Sequence, residues 1–295
     1  MPERLDQFLV RLGLAPSRRI ARGLIAQGRV RVNGRRLRKG AVVDAGAQVQ
    51  VTKPSEASGI QANAELTIKV LYQDSALLIV NKPALIPCHP LRADERGTVM
   101  NAIAAVYPET ATVGDDPREG GLVHRLDNGT SGALIIARTN EALATLRAAI
   151  RSGAIAREYL ALAAGRIESA VEITAPIAHH PKNPRKMVVV TEAHAATAAR
   201  PASTIAVPID RYGEFTLLKV SPRTGRRHQI RIHLASLGHP LAGDELYGGP
   251  PLEGLAPGRF WLHLAALELE SPVAGRIRVE APLPADLGAS LAALR

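Results

Sequence analysis

The chain has 295 residues, 46% of them apolar and 3% aromatic, enough for two domains with aliphatic cores. No apolar run reaches the roughly 18–20 residues that span a bilayer. The start MPERLDQFLV shows no apolar leader, and a single cysteine, Cys88, excludes an intrachain disulfide, so the cytoplasm is the expected compartment. Lys plus Arg is 37 and Asp plus Glu 27, a net +10. Residues 1–52 hold 11 basic and 3 acidic side chains, 11 − 3 = +8. A small basic unit ahead of a near-neutral body points to a polyanion, nucleic acid above all. The plainer reading is a solvated, charge-rich surface.

Taken in chain order, ERLDQFLVRLGL carries Leu5, Phe8, Leu9 and Leu12 at helical spacing, broken by Gly13. Ser17 is placed to cap a second helix, SRRIARGLIAQ, with Gly28 as its stop and Arg18, Arg19 and Arg22 on its polar face. RVRVNGRRL predicts a hairpin turning at Asn33-Gly34, and AQVQV a further strand. Residues 53–64 are small and polar, as in a linker. Then LTIKVLY and ALLIVNKP predict strands, GTVMNAIAAVY a helix, GALIIART a strand and NEALATLRAAIRSG a helix. REYLALAAGRI and FTLLKVSP predict strands, TGRRHQIRIHLASLG a helix from Thr224 to Gly238, and FWLHLAALELESP a last strand. This order predicts an α+β fold with a large sheet in residues 65–295.

The usual cofactor signatures are missing. There is no phosphate loop, dinucleotide glycine turn, H-E-x-x-H helix or nucleophile elbow, so no cofactor and no metal are expected. What remains is three polar clusters at the ends of apolar segments: NKPALIPCHP at 81–90, HRLDNGTSG at 124–132, and RTGRRHQIRIH at 223–233 with GHPLAGDELYG at 238–248. A carboxylate near a buried sheet edge needs a cation or several hydrogen bonds. Arg227 and Arg231 are four apart on the predicted helix, hence on one face, and either is placed to pair with Asp127 and keep it ionised. Asp127 with Asn128-Gly129 also fits a plain turn.

SRRIARGLIAQGRVRVNGRRL resembles the S4 RNA-binding domain over residues 2–52. That likeness implies a small α/β module meeting RNA phosphates through Arg18, Arg19, Arg22, Arg29, Arg31, Arg35 and Arg36. HRLDNGTSG, SPRTGRRHQIRIHLASLGHPLAGDELYG, NKPALIPCHP and AREYLALAAG, in that company, resemble the RluA family of RNA pseudouridine synthases over residues 65–282. The resemblance implies a mixed, mainly antiparallel sheet and a cofactor-free isomerisation. In it the uridine C1′–N1 bond is cut, the base turns, and the sugar is rejoined at C5. Asp127 would then be the reacting aspartate, either attacking ribose or base or removing a sugar proton. Arg231 would orient it. Tyr159 would stack on uracil and assist loss of the C5 proton. Arg125 would help hold the nucleotide outside its stack, with Arg227 and His228 also at the substrate. Core packing for Tyr159, a surface cation for Arg125, and structural roles for His124, His228 and Cys88 are the plainer readings. Thr130 and Ser131 are expected to brace the Asp127 loop through backbone hydrogen bonds. The implied partner is RNA, large-subunit ribosomal RNA first and tRNA second, with ribosomal assembly intermediates a further expectation and a monomer the expected state. A non-catalytic RNA-binding assembly factor is the competing class.

Overall fold

Ser17 and Asn33-Gly34 show how short signals build the first unit of this computed structural model. It describes residues 2–15, 17–26, 28–38, 40–44, 46–52, 59–92, 94–190 and 199–295. The side chain of Arg19 and residues 53–58 of the expected linker lie outside the described parts. The chain divides into Met1–Ser58 and Gly59–Arg295.

In the first unit, β1 (Glu3–Arg4) leads into α1 (Leu5–Arg11), followed by α2 (Arg18–Ala26), β2 (Val30–Val32), β3 (Arg35–Arg36), β4 (Val42–Val43) and β5 (Val49–Val51). The first helix is therefore shorter than its apolar spacing suggests, because Glu3 and Arg4 pair with Val43 and Val42. The Ser17 hydroxyl accepts the Ile20 amide at 3.3 Å, closing one open donor of α2. Asn33 and Gly34 both take positive φ, 48° and 77°, as a tight hairpin between β2 and β3 requires. Leu5, Phe8, Leu9, Ala21, Ile25, Val30, Val32 and Val43 form the core.

The second unit runs β6 (Lys69–Gln73), β7 (Leu77–Lys82), α3 (Val99–Val106), β8 (Ser131–Ala137), α4 (Asn140–Ser152), β9 (Ala156–Ala164), β10 (Val171–Ile173), β11 (Ile177–His179), β12 (Met187–Val189), β13 (Thr204–Tyr212), β14 (Phe215–Pro222), α5 (Gln229–Ser236), β15 (Leu262–Ser271), β16 (Gly275–Glu280) and α6 (Ala285–Ala293). Among the described residues one large sheet has the order β10-β13-β14-β9-β15-β8-β7-β6, with β16 paired to β15. Every pairing in it is antiparallel except β15 with β8. The fold is thus α+β with a mixed, mainly antiparallel sheet. Strand β8 is buried at all seven residues, which is why its sequence runs SGALIIA without alternation. Thr98 and Thr139 cap α3 and α4 through their hydroxyls.

Two features place the functional end. Gly132 sits at φ 120° where β8 crosses β15, and a Cβ there would fall on the Leu264 backbone. That close approach sets the start of β8, and so the Asp127 turn before it, against the start of β15. Helix α5 begins at Gln229, not at Thr224, because His228 is left-handed at φ 55°. The Gln229 side chain also ties down the preceding loop. Its oxygen accepts from the Thr224 hydroxyl and the Arg226 amide, and its nitrogen donates to the Ser203 carbonyl and the Thr204 hydroxyl.

Residues 59–64, expected in the linker, are bonded to the second unit. The Ile60 amide donates to the Pro117 carbonyl, the Asn63 amide to the Asn101 carbonyl, and the Asn101 side chain to the Gln61 carbonyl. Strands β10 to β13, β16 and helix α6 carry no counterpart in the predicted elements.

Candidate active site

Asp127 ends the HRLD segment in a turn closed by the Thr130 amide on its own carbonyl at 3.0 Å. Two buried cations hold that turn from beneath. Lys82, with no exposure, donates to the carbonyls of Pro83, Asn128 and Thr130 at 2.8, 3.2 and 2.8 Å. Burial lowers its pKa to about 8, so the ammonium persists at pH 7 and all three of its N–H bonds have carbonyl acceptors. Arg259 donates to the Gly129 carbonyl, the Ser131 hydroxyl and the Asp286 carboxylate. The Ser131 hydroxyl also meets His263 Nδ1 at 2.9 Å. Ser131 therefore braces the turn through its side chain, and Thr130 through its backbone.

The Asp127 carboxylate faces Arg231, whose Nη1 donates to Oδ2 at 3.0 Å. The other edge of the guanidinium is held by Asp244, at 2.7 Å from Nε and 2.8 Å from Nη2. Burial works against the Arg231 charge, yet Asp244 and Asp127 outweigh it and hold its pKa above the ordinary value. The ring of Phe260 lies 4.1 Å below the guanidinium, a further favourable contact for a cation. Asp127 Oδ1 lies 3.9 Å from His228 Nε2. Burial first, against the pull of Asp127, lowers the His228 pKa to about 4, so that ring is neutral at pH 7. Its Nδ1 meets the Tyr247 hydroxyl at 2.8 Å.

Of the two arginines offered to Asp127 by spacing, Arg231 takes it. Arg227 does not share its face, since it precedes the helix. Its guanidinium donates to the carbonyls of Pro184 and Arg185, beside β12, although it still borders the cleft.

Asp127, Arg231, Tyr159, Arg125, Arg227 and His228 line one cleft of about 630 Å³, within the size range of ligand pockets. Tyr159 projects into it from β9, in register with Val220 of β14 and Leu264 of β15. Burial pushes its pKa up to about 12, so it presents a neutral phenol. Arg125 is 62% exposed at the rim, with Glu119 at 3.7 Å. Cys88 is buried, and its sulfur exchanges hydrogen bonds with the Leu126 backbone at 3.4 Å; burial raises its pKa, so it is a packing thiol. Asp244, Lys82, Arg259 and Arg157 also belong to this region and were not singled out by sequence, though Asp244, Lys82 and Arg157 lie in the quoted GHPLAGDELYG, NKPALIPCHP and AREYLALAAG segments.

In the first unit, Asp6 is 3% exposed and accepts from Arg4, Arg18 and Arg22. Burial opposes its charge, but the three guanidinia hold it far below the usual carboxylate range. Arg18 and Arg22 remain about half exposed. Arg35 and Arg36 beside it on β3 are both exposed.

A family model described as RNA pseudouridylate synthase matches residues 76–236, and an S4 domain model matches residues 3–49. The chain belongs to the RNA pseudouridylate synthase family. It is accordingly an RNA-modifying isomerase. It is 36% identical over 306 residues to the "Ribosomal large subunit pseudouridine synthase D" of Pseudomonas aeruginosa, covering 99% of this chain and 92% of that one. It is 37% identical over 300 residues to the protein of the same name from Nitrosomonas europaea, covering 99% and 84%. A solved structure, "Human RNA Pseudouridylate Synthase Domain Containing 1", shares 26% identity with a TM-score of 0.60 over 81% of this chain and 90% of that one. Among the described residues no helix is long and apolar enough to cross a membrane, and no group of three or more His, Cys, Asp or Glu is placed to hold a metal.

Proposed function

We propose that this pseudouridine synthase acts in the cytoplasm, as a monomer, on uridine of large-subunit ribosomal RNA, free or in assembling particles, and that Asp127 is the reacting carboxylate. The observation that carries this reading is the Asp127–Arg231 contact in the cleft that also holds Tyr159. The ion pair sets a guanidinium directly against the carboxylate that would act as nucleophile or base. Its Oδ2 is held by Arg231, and Oδ1 has no hydrogen-bond donor among the described residues, so one oxygen is available to the ribose or the base. Both routes left open by the sequence, attack and sugar-proton removal, use that oxygen.

The uridine must leave its stack to reach the cleft, because C1′ and C5 are covered in a helix. Arg125, at the rim, meets the RNA that stays behind. Tyr159 provides the stacking face, and its neutral phenol favours packing and hydrogen bonding over proton abstraction at pH 7. C1′–N1 breaks, the base turns, C1′–C5 forms, the C5 proton leaves and N1 gains one. The basic first unit adds phosphate contacts through Arg18, Arg19, Arg22, Arg29, Arg31, Arg35 and Arg36. Ribosomal rather than transfer RNA is favoured by the names of the two bacterial relatives.

The test maps pseudouridine in all cellular RNA with and without the gene, then with Asp127→Asn. We expect large-subunit sites to vanish in both cases while purified Asp127→Asn still binds that RNA. Unchanged sites without the gene, or turnover by Asp127→Asn, would sink the reading.

A further inference from the structure

Arg157 is a buried cation that, among the described residues, pairs with no carboxylate. It stands two residues before Tyr159 on β9, so both side chains leave the same face of the strand, and both line the cleft. Arg157 is 7% exposed and Tyr159 8%. Nη2 of Arg157 donates to the carbonyls of Pro222 and Thr224, each at 3.2 Å. Nε is buried without any partner, and among the described residues Nη1 is bonded to no acceptor. Three of the five N–H groups are therefore unused. The other buried cations of this unit are each complemented: Arg231 by Asp127 and Asp244, Arg259 by Asp286 and carbonyls, Lys82 by three carbonyls. An uncompensated guanidinium inside a protein is costly. Gly225 makes room for it, since a Cβ there would stand 3.1 Å from Nη1.

His124 adds to this floor. Its Nε2 accepts the Ile135 amide at 3.2 Å, which puts the ring proton on Nδ1. Burial first, and then the Arg157 charge, lower its pKa to about 3. The ring is therefore a neutral neighbour that offers no anion to Arg157.

We propose that Arg157 is a further catalytic residue, whose unused N–H groups meet a carbonyl oxygen of the flipped uracil and stabilise the negative charge the base acquires during isomerisation. This rests on the uridine-isomerising reading above. When C1′–N1 breaks, the bonding pair stays on the base and spreads to its carbonyl oxygens. Rejoining through C5 neutralises it, and the C5 proton then leaves as N1 takes one up. Arg157 forms and breaks no covalent bond. A phosphate, strongly hydrated, belongs at the rim with Arg125, whereas Arg157 lies as deep as the ring that stacks on the base. A fixed cation left unpaired in the free enzyme favours the charged state over the neutral substrate, so it raises the rate more than the affinity.

The test uses the full chain and large-subunit RNA bearing uridine or 5-fluorouridine at the target, with Arg157→Met and Arg157→Lys, each checked for folding by circular dichroism. Single-turnover loss of the original nucleoside and RNA affinity are measured separately. For Arg157→Met we expect a saturating rate on uridine down about 100-fold, with Kd within about threefold. Arg157→Lys should recover about tenfold of that loss. Because fluorine helps the base carry negative charge, the Arg157→Met defect should shrink about tenfold on 5-fluorouridine. A weaker Kd with unchanged saturating rate and a salt slope lower by about one would make Arg157 a phosphate contact instead. That result, an equal defect on both nucleotides, or no defect overturns the proposal. Should Arg157→Met not fold, Arg157→Lys alone decides: a rate loss smaller on 5-fluorouridine supports the proposal, and no loss or an equal loss overturns it. Failure of the wild-type enzyme to isomerise either RNA would sink the earlier reading rather than this one.

Discussion

Asp244 holds Arg231 by two points, 2.7 Å from Nε and 2.8 Å from Nη2. The third side of the guanidinium is thereby aimed at Asp127. Asp244 is 1% exposed and does not line the cleft, so it acts through Arg231. Arg231→Asp127 is thus one step of a chain that begins in the GHPLAGDELYG segment.

Asp244→Asn should disturb this chain without touching substrate. The amide offers one acceptor where two were used, leaving part of a buried cation unpaired. Breaking a buried pair costs about 3–5 kcal/mol; with the isosteric amide we expect the low end, read as a lower urea midpoint. The saturating single-turnover rate should fall about tenfold or more with RNA affinity held, because Asp127 loses its fixed partner. A normal rate in a folded Asp244→Asn enzyme would show that Arg231 needs no such support.

Lys82→Met removes the pin under the Asp127 turn. Three carbonyls would lose their donor inside the protein, at about 1–3 kcal/mol for each group left unsatisfied. We expect a loss of at least about 3 kcal/mol in denaturant unfolding, and an isomerisation rate that falls further than the stability loss explains. A variant as stable as wild type would mean that water or a shifted backbone replaces the ammonium.

Acid should destabilise the catalytic unit through His124. Its folded pKa is about 3, against about 6.5 unfolded. Between those values the unfolded chain binds a proton that the native ring refuses, so stability is full above pH 6.5 and falls as pH drops toward 3. At pH 5 the loss from this residue is about 2 kcal/mol. The pH 7 to pH 5 drop in unfolding free energy should be smaller by about that amount in His124→Gln. An identical drop in both proteins would place the acid sensitivity elsewhere.

The parts of this site that were legible in sequence are those packed into short polar motifs. Asp127, Tyr159 and Arg231 come from three segments, and they line one cleft. What was not legible depends on partners far apart in the chain. Arg259 reaches the Gly129 carbonyl across 130 residues and has no local signature; Lys82 stands in the quoted NKPALIPCHP segment, but its hold on Thr130, 48 residues away, does not show there. Helical spacing alone leaves Arg227 and Arg231 equivalent, because Thr224 mimics a helix cap while its hydroxyl is given to Gln229; only the family resemblance singles out Arg231. Strands β10 to β12 have three residues each, too few for alternation to register. Strand β13 carries Pro208 beside a register shift, and proline argues against a strand in sequence.

The basic first unit should separate two kinds of arginine. Arg18 and Arg22 are tied to Asp6, so their charges are partly neutralised but their guanidinia are held in place. Arg35 and Arg36 lie exposed on a two-residue strand with no ion pair among the described residues. Replacing Arg35 and Arg36 by Ala should remove up to two phosphate contacts and lower the slope of log K against log salt by about 0.7–0.9 for each. The unit should stay folded, since neither residue enters its core. Asp6→Asn should behave differently, because it frees three guanidinia and disorders them. RNA binding should weaken at low and high salt alike, with the melting temperature of the unit lowered. Salt slopes and melting curves for the three variants on one RNA check both expectations. An unchanged slope in the Arg35, Arg36 double variant would show that β3 faces away from RNA.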